Sequence, residues 1–496
     1  MRRKQRSLER LIPIQEISED KLLLKDGRIA IGFRLGLAEN EQKTGAEIRL
    51  EKTALIAGLK NLPLGSSLQK LDIYYHKAFE EKGRAQGYFE RKAHQHFYHR
   101  LILSHESYLF FSLGKEDQPR ANPVNSFFSF GRALGKDPFS GLEKRAQKVE
   151  KAGAELEGLF SSQGIVMKRL GDKELDQLYK AYFNLDFIHE PQGYERSMKI
   201  HRGAIEIGEK RAAIISLTEQ GAVADELMLK GGVASYFSSP LGEALGIPHI
   251  VSTSFRIEDR DKELKALDLD KKLNASLDFL SGQDHEIRSA EIEAFTAEVR
   301  INSEQLLSVN VSVVLWSESE DSLGAYTDEA LAAIRNMSGA RGWVESYDTA
   351  NLFFAAAPGN SCQGYRRLLM RAENALCYLD LSGNYKKGKE GIRLLDRYRN
   401  PLRAKLYNTE LNNQNALVIG PSGSGKSFTV GSFIIQRQEQ GHRQIIIDNG
   451  GSYKNALTAL GGKYYEYDPE HPLSFNPFLL PQYQAGKRYL SQDKLS

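Results

Sequence analysis

The sequence predicts a multidomain α/β and α+β chain, with α+β modules ahead of a phosphate-loop nucleotide-binding domain. Three observations lead there. Apolar runs of strand length alternate with amphipathic runs of helix length through the first half. Asn415–Ser427 reads NALVIGPSGSGKS, which spells G-x-x-x-x-G-K-S at Gly420–Ser427. The 496 residues exceed one ordinary core, and 41% hydrophobic with 26% charged content is that of a soluble globular protein. The expected divisions are an N-terminal α+β domain over 1–115, a middle α+β domain with long charged helices over 116–400, and the nucleotide-binding part over 401–496.

Leu11–Leu37 reads as strands, with Lys21–Lys25 and Arg28–Phe33 flanking the hairpin signal Asp26-Gly27. Leu50, Leu55 and Leu59 have helical spacing within Arg49–Lys60. Leu68–Tyr75 alternates as a strand, Lys77–Arg100 reads as a long amphipathic helix, and Ser107–Leu113 as another strand. That helix carries His94, His96 and His99. His96 and His99 share a face but His94 points elsewhere, and no Cys or carboxylate completes a metal set. Gly114–Pro138 has the composition of a linker or long loop.

Leu142–Phe160 reads as a charged helix; Ile200–Ile207, Ala212–Leu217 and His249–Ile257 as strands; Arg260–Leu280 and Glu286–Leu307 as long charged helices without a heptad. Val309–Leu315 is a buried-strand candidate, followed by a helix over Asp321–Ser338 and a short strand over Trp343–Ser346. Ala355–Asn360 is a tight turn by its Pro358-Gly359, followed by a helix over Gly364–Ala375 and a loop over Leu381–Lys389.

A formal net charge of +3 gives no global signal for a polyanion partner. Charge is local instead. Met1–Arg10 carries a local +4, which reads as a solvated start or a contact to acidic lipid or nucleic acid. Lys386–Lys405 carries eight basic residues against Glu390 and Asp396. That stretch is either a DNA or subunit contact, through residues such as Arg393, Arg397, Arg399 and Arg403, or an exposed linker. Two cysteines, Cys362 and Cys377, make no disulfide framework and suit a reducing compartment. No apolar run reaches the ~20 residues that span a bilayer, so a cytoplasmic chain, or one peripheral through partners, is expected.

The chemistry of Gly420–Ser427 follows from its residue types. Backbone N–H groups can wrap a β-phosphate only where no Cβ obstructs, which Gly420, Gly423 and Gly425 allow around Pro421, Ser422 and Ser424. A helix beginning near Lys426 adds unpaired N–H groups and a positive dipole end. Lys426 is expected to reach the β- and γ-phosphates of ATP, and the Ser427 hydroxyl to ligate Mg²⁺. Ala416–Ile419 supplies the preceding strand, and Phe428–Gln440 the helix, ending at Gly441. Arg443–Asp448 is a β-branched strand ending in a carboxylate, which makes Asp448 a second candidate for Mg²⁺. Its place, 22 residues after Lys426, suits the next βα unit better. A helix over Tyr453–Leu460 and a third strand over Lys463–Tyr467 follow.

These residues resemble the TraG-type ATPases of conjugative transposons, among the large traffic ATPases of type IV secretion and conjugation. The likeness rests on GPSGSGKS at Gly420–Ser427, IIIDNGGSY at Ile445–Tyr453, GGKYYEYDPE at Gly461–Glu470 and FNPF at Phe475–Phe478. APGN at Ala357–Asn360 and LLDRYRNP at Leu394–Pro401 extend it upstream. The resemblance implies a RecA-like motor domain, a ring-shaped homo-oligomer at the cytoplasmic face of the cell membrane, and docking by the N-terminal half to membrane proteins of the apparatus. It implies ATP-driven assembly or transfer, with direct DNA contact open. The family's metal carboxylate, catalytic glutamate and arginine finger lie on later segments, so 401–496 is expected to be an incomplete RecA-like P-loop NTPase domain, with hydrolysis in doubt. Two other readings stand beside the motor: a non-enzymatic docking scaffold of the same apparatus, and a P-loop kinase, against which the absence of an acceptor-site motif argues.

Overall fold

The structure, a computed structural model, describes residues 11–39, 44–80, 87–114, 139, 141–195, 197–220, 229–230, 233–234, 238–277, 282–302, 304–361, 365–383, 390–396, 398–406 and 413–470. The chain divides into two compact units. The first comprises Met1–Glu80, Phe97–Gly388 and Leu394–Leu402; the second comprises Glu81–His96, Lys389–Arg393 and Arg403–Ser496.

Among the described residues, thirteen strands of the first unit form one sheet. In chain order they are β1 (Ile14–Ser18), β2 (Lys21–Leu24), β3 (Ile29–Gly36), β4 (Ser67–Ala78), β5 (Leu101–Leu113), β6 (Val166–Arg169), β7 (Met198–His201), β8 (Ala204–Ile207), β9 (Lys210–Glu219), β10 (His249–Ile257), β11 (Leu306–Ser317), β12 (Arg341–Val344) and β13 (Leu368–Arg371). Their order is β1-β2-β3-β5-β4-β10-β11-β9-β8-β7, with β6 on β3, β12 on β9 and β13 on β11. Every pairing in this sheet is antiparallel, which makes the unit α+β.

The helices are α1 (Gly45–Leu59), α2 (Tyr88–Phe97), α3 (Leu142–Ser161), α4 (Asp172–Asn184), α5 (Arg260–Leu277), α6 (Gly282–Asn302), α7 (Glu320–Arg335), α8 (Thr349–Ala355), α9 (Ala372–Ala375), α10 (Lys426–Glu439) and α11 (Lys454–Ala459). Helix α1 starts where Thr44 and Glu47 close a capping box, each side chain bonded to the other's backbone N–H. Successive strand residues serve opposite faces. Ile29, Ile31, Phe33 and Leu35 of β3, with Val309, Val311 and Val313 of β11, pack with α1, α3 and α7. Ala30, Phe110, Ile250 and Val314 face the other way, toward Tyr179, Tyr182 and Phe183 of α4 and Phe353 and Phe354 of α8. Both faces are therefore covered, and β4, β10 and β11 are buried almost throughout.

The turn at Ala357–Asn360 lies inside this packing. Gly359 has φ +73, and its N–H donates to Gln69 Oε1 at 2.7 Å. The buried Arg28 guanidinium donates to Asn360 Oδ1 at 2.5 Å, and the Tyr179 hydroxyl donates to the Pro358 carbonyl.

Hairpin β2–β3 turns at Asp26-Gly27 as read from the sequence, with Gly27 at φ +80. Four readings are corrected. Lys77–Arg100 is not one helix: β4 runs to Ala78 because it stays paired with β5 along its length, and α2 occupies only Tyr88–Phe97. Ile200–Ile207 is two strands, turned at Gly203 with φ +81. The helix expected to reach Leu307 stops at Asn302, because Leu306 and Leu307 enter the sheet opposite Arg371 and Met370. The helix expected over Gly364–Ala375 gives strand β13 and the four-residue α9, since β11 offers an edge that propensity cannot see. Gly114–Pro138 lies outside the described residues except Gly114.

In the second unit, α10 and α11 form where the sequence placed them. The strands expected at Ala416–Ile419, Arg443–Asp448 and Lys463–Tyr467 do not: among the described residues none of these segments enters a ladder. Ile445 and Ile447 are 96% and 97% exposed, so among the described residues no strand or helix covers them. A helix closes its hydrogen bonds within its own segment, whereas a strand needs a second one beside it.

Candidate nucleotide site

Residues 420–425 form an open turn ahead of α10, with Gly423 and Gly425 at φ +81 and +89, in the left-handed region. A Cβ on Gly420 would come within 2.5 Å of Ser424 Oγ, so that hydroxyl would have to turn aside. The N-cap of α10 is Gly425, and no side chain caps the helix. Its first N–H groups thus lack a side-chain acceptor and are available to an anion.

Lys426 Nζ donates to the carbonyls of Gly420 and Pro421 at 2.7 and 2.8 Å. The ammonium is drawn back over the mouth of the loop, held by neutral acceptors that phosphate oxygens can replace. Ser427 is exposed at the start of the helix, where its hydroxyl is open to a cation. Every expected residue of Gly420–Ser427 therefore lies on one turn and one helix start, and the donors present fit a polyphosphate. Asp448 has a local role: its Oδ2 accepts the Tyr453 N–H at 2.9 Å and closes the turn into α11. Among the described residues, no group of three His, Cys, Asp or Glu side chains is arranged for a metal ion.

The other end of α10 is tied to distant parts of the chain, which sequence reasoning missed. Strands β14 (Ile392–Leu395) and β15 (Pro401–Ala404) form a hairpin, of which Ile392, Arg393, Arg403 and Ala404 belong to the second unit. Buried Gln436 of α10 accepts the Arg393 N–H at 2.7 Å and donates to the Arg393 carbonyl at 3.1 Å, as a neighbouring strand would. Gln440 donates to the Gly391 carbonyl at 3.1 Å. Glu439 accepts the backbone N–H groups of Phe89 and Glu90, at 2.7 and 3.3 Å, and so caps α2.

Glu90 in turn holds two arginines, with Arg393 Nη2 and Arg403 Nη2 each 2.8 Å from its Oε2. Burial raises the Glu90 carboxyl, but the guanidinium groups of Arg403 and Arg393 outweigh that and hold it below the usual range. Within the basic stretch, Arg393 is 6% exposed and pairs its charge with Glu90. Arg397 lies outside the described residues. The only sequence signal for this arrangement was the run of basic residues, and nothing in it pointed to a glutamate some 300 residues upstream.

No helix among the described residues is long and apolar enough to cross a membrane. No curated protein matches the chain. A family model described as the TraG P-loop domain matches residues 391–490, the span that holds the β14–β15 hairpin, the phosphate loop, α10 and α11. Over that span the chain is similar to the TraG P-loop domain, in keeping with the resemblance of its motifs to the TraG-type conjugation ATPases.

Proposed function

We propose that the chain is an ATP-binding motor component of a conjugative-transfer, type IV secretion apparatus, coupling ATP binding to assembly of the apparatus or to transfer through it. The observation that carries the reading is the built phosphate cradle: two left-handed glycines, an uncapped helix start and Lys426 poised over the loop, within a span similar to the TraG P-loop domain. Bound ATP would supply the reactive phosphoanhydride. The chain's backbone N–H groups and Lys426 would hold its phosphates, and Ser427 would hold Mg²⁺. The first unit is the docking part in this reading, set against membrane proteins of the apparatus at the cytoplasmic face, with rings formed by copies of the chain.

A second reading, nucleotide-dependent scaffolding with little turnover, is favoured by one observation. Asp448 is engaged in its own turn, while Ile445 and Ile447 are exposed and enter no ladder among the described residues. The two readings part on rate. Lys426→Ala should weaken binding of a fluorescent ATP analogue by at least about tenfold with the fold unchanged by circular dichroism. Magnesium-dependent phosphate release that Lys426→Ala abolishes supports the motor. Tight binding without release supports the scaffold, and equal binding by wild type and variant refutes both.

A further inference from the structure

Helix α2 belongs, by its place in the chain, to the connection between β4 and β5. These are central and long strands of the first unit's sheet, paired residue by residue from Ser67–Ser112 to Ala78–Leu101. The connection leaves and re-enters through a narrow neck. Phe79 N–H donates to the Arg100 carbonyl at 2.8 Å, His99 N–H donates to the Phe79 carbonyl, and the Phe79 and Phe97 rings meet edge to face. Yet its described residues up to His96 belong to the second unit, with the phosphate loop.

The fastening between α2 and α10 is specific. The Glu439 carboxylate lies across the first turn of α2, and Gly87 has no side chain there, since a Cβ would collide with that carboxylate. Glu90, in that same first turn of α2, is held by Arg393 and Arg403, and the backbone of Arg393 is held by Gln436 of α10. Gln436, Glu439 and Gln440 all lie in or just beyond the last turn of α10, while the phosphate loop is at its first turn. The 14 residues of α10 make a rod of roughly 21 Å between the two ends.

We propose that α2 is a transmission element: nucleotide binding at the start of α10 is carried along that helix to Glu439 and Gln436, and from there into the connection between β4 and β5. The inference rests on the nucleotide-binding reading above and adds the route by which bound nucleotide reaches the segment that joins β4 to β5. Its physical content is a coupling free energy. Ordering the first turn of α10 rigidifies the helix, which lowers the cost of holding the α2 cap at its far end.

Hydrogen–deuterium exchange of the full chain, with and without Mg²⁺ and a slowly hydrolysed ATP analogue, tests this. Wild type should show slowed exchange at 420–430 and, by about fivefold or more, at 88–97. Glu439→Gln, which keeps the shape but weakens the acceptor, and Glu439→Ala should each retain protection at 420–430 while that at 88–97 falls away. Gly87→Ala, which crowds the carboxylate and also strains the backbone at φ +90, should act in the same way. Protection of the loop with α2 unmoved in wild type would overturn the inference alone. So would an α2 response that survives both Glu439 variants, or one matched by α11, which marks general stabilisation. If neither 420–430 nor 88–97 responds, the nucleotide-binding reading falls and the inference with it.

Discussion

Asp72 occupies a buried row across three strands. Its Oδ1 lies 2.9 Å from His105 Nε2 and its other oxygen on the Lys70 ammonium, with the Lys70 side chain only 3% exposed. Two residues along β4, the Tyr74 ring stacks between His105 and His249, at centroid distances of 4.3 and 4.4 Å. Burial alone raises the Asp72 carboxyl; Lys70 and His105 reverse that and hold it well below the usual carboxylate range. Removing it leaves a buried ammonium without this counter-charge, so Asp72→Ala should cost about 3–5 kcal/mol in denaturant unfolding. The sign with pH follows from the depressed values of Asp72 and Glu90. Both contribute stability that is complete above the unfolded carboxylate range, about 4, and is lost as pH falls through their lower folded values. Melting temperature followed from neutral pH to about 3 should therefore decline in acid, and Glu90→Gln should flatten part of that decline. An unchanged profile in Glu90→Gln would mean that the arginines do not hold this carboxylate in solution.

Among the elements, those that close their own hydrogen bonds were the legible ones. Helices α3, α10 and α11 stand where they were read, α1 starts at Gly45, four residues ahead of its reading at Arg49, and β10 matches its reading residue for residue. The phosphate loop was legible for the same reason: Gly423, Gly425, Lys426 and Ser427 need only each other and the next helix. Apart from the local hairpin at Gly203, the failures involve a partner farther along the chain. Strand β13 exists because β11 has an edge for it, and the apolar runs at Ala416–Ile419 and Arg443–Asp448 lack such an edge among the described residues. Glu90 was invisible as a ligand of Arg393 because 303 residues separate them. One position tests the hairpin that joins this arrangement. Gly391 has φ +119 and sits against the Ala404 carbonyl, where a Cβ would strike backbone that cannot move aside. Gly391→Ala should destabilise the second unit by about 1–3 kcal/mol, read as faster hydrogen exchange in α10.

At the scale of the molecule, the second unit is assembled from three separate pieces of chain, one of them from the N-terminal part. The domain boundary read at residue 401 follows sequence continuity, and contacts follow a different division. A chain ending at residue 402 should therefore keep its sheet, since the thirteen strands all precede that point. It should lose the Glu439 cap on α2 and the Arg403 contact to Glu90. Limited proteolysis of that shortened chain should cut α2, within 88–97, sooner than in the full chain. Equal resistance of the two would mean that α2 is held by something other than α10.

Glu439 follows Phe89 by 350 residues. At roughly 5–20 residues per second, a ribosome delivers the capping carboxylate about 20–70 s after the helix that it caps. During that interval β4 and β5 can pair, but the helix between them has open N–H groups and is marginal as an isolated ten-residue segment. The newborn chain therefore completes its sheet first and its nucleotide unit last, around a segment kept waiting since early in synthesis. A gene segment encoding only 403–496, moved to another host protein, would carry the phosphate loop without that segment.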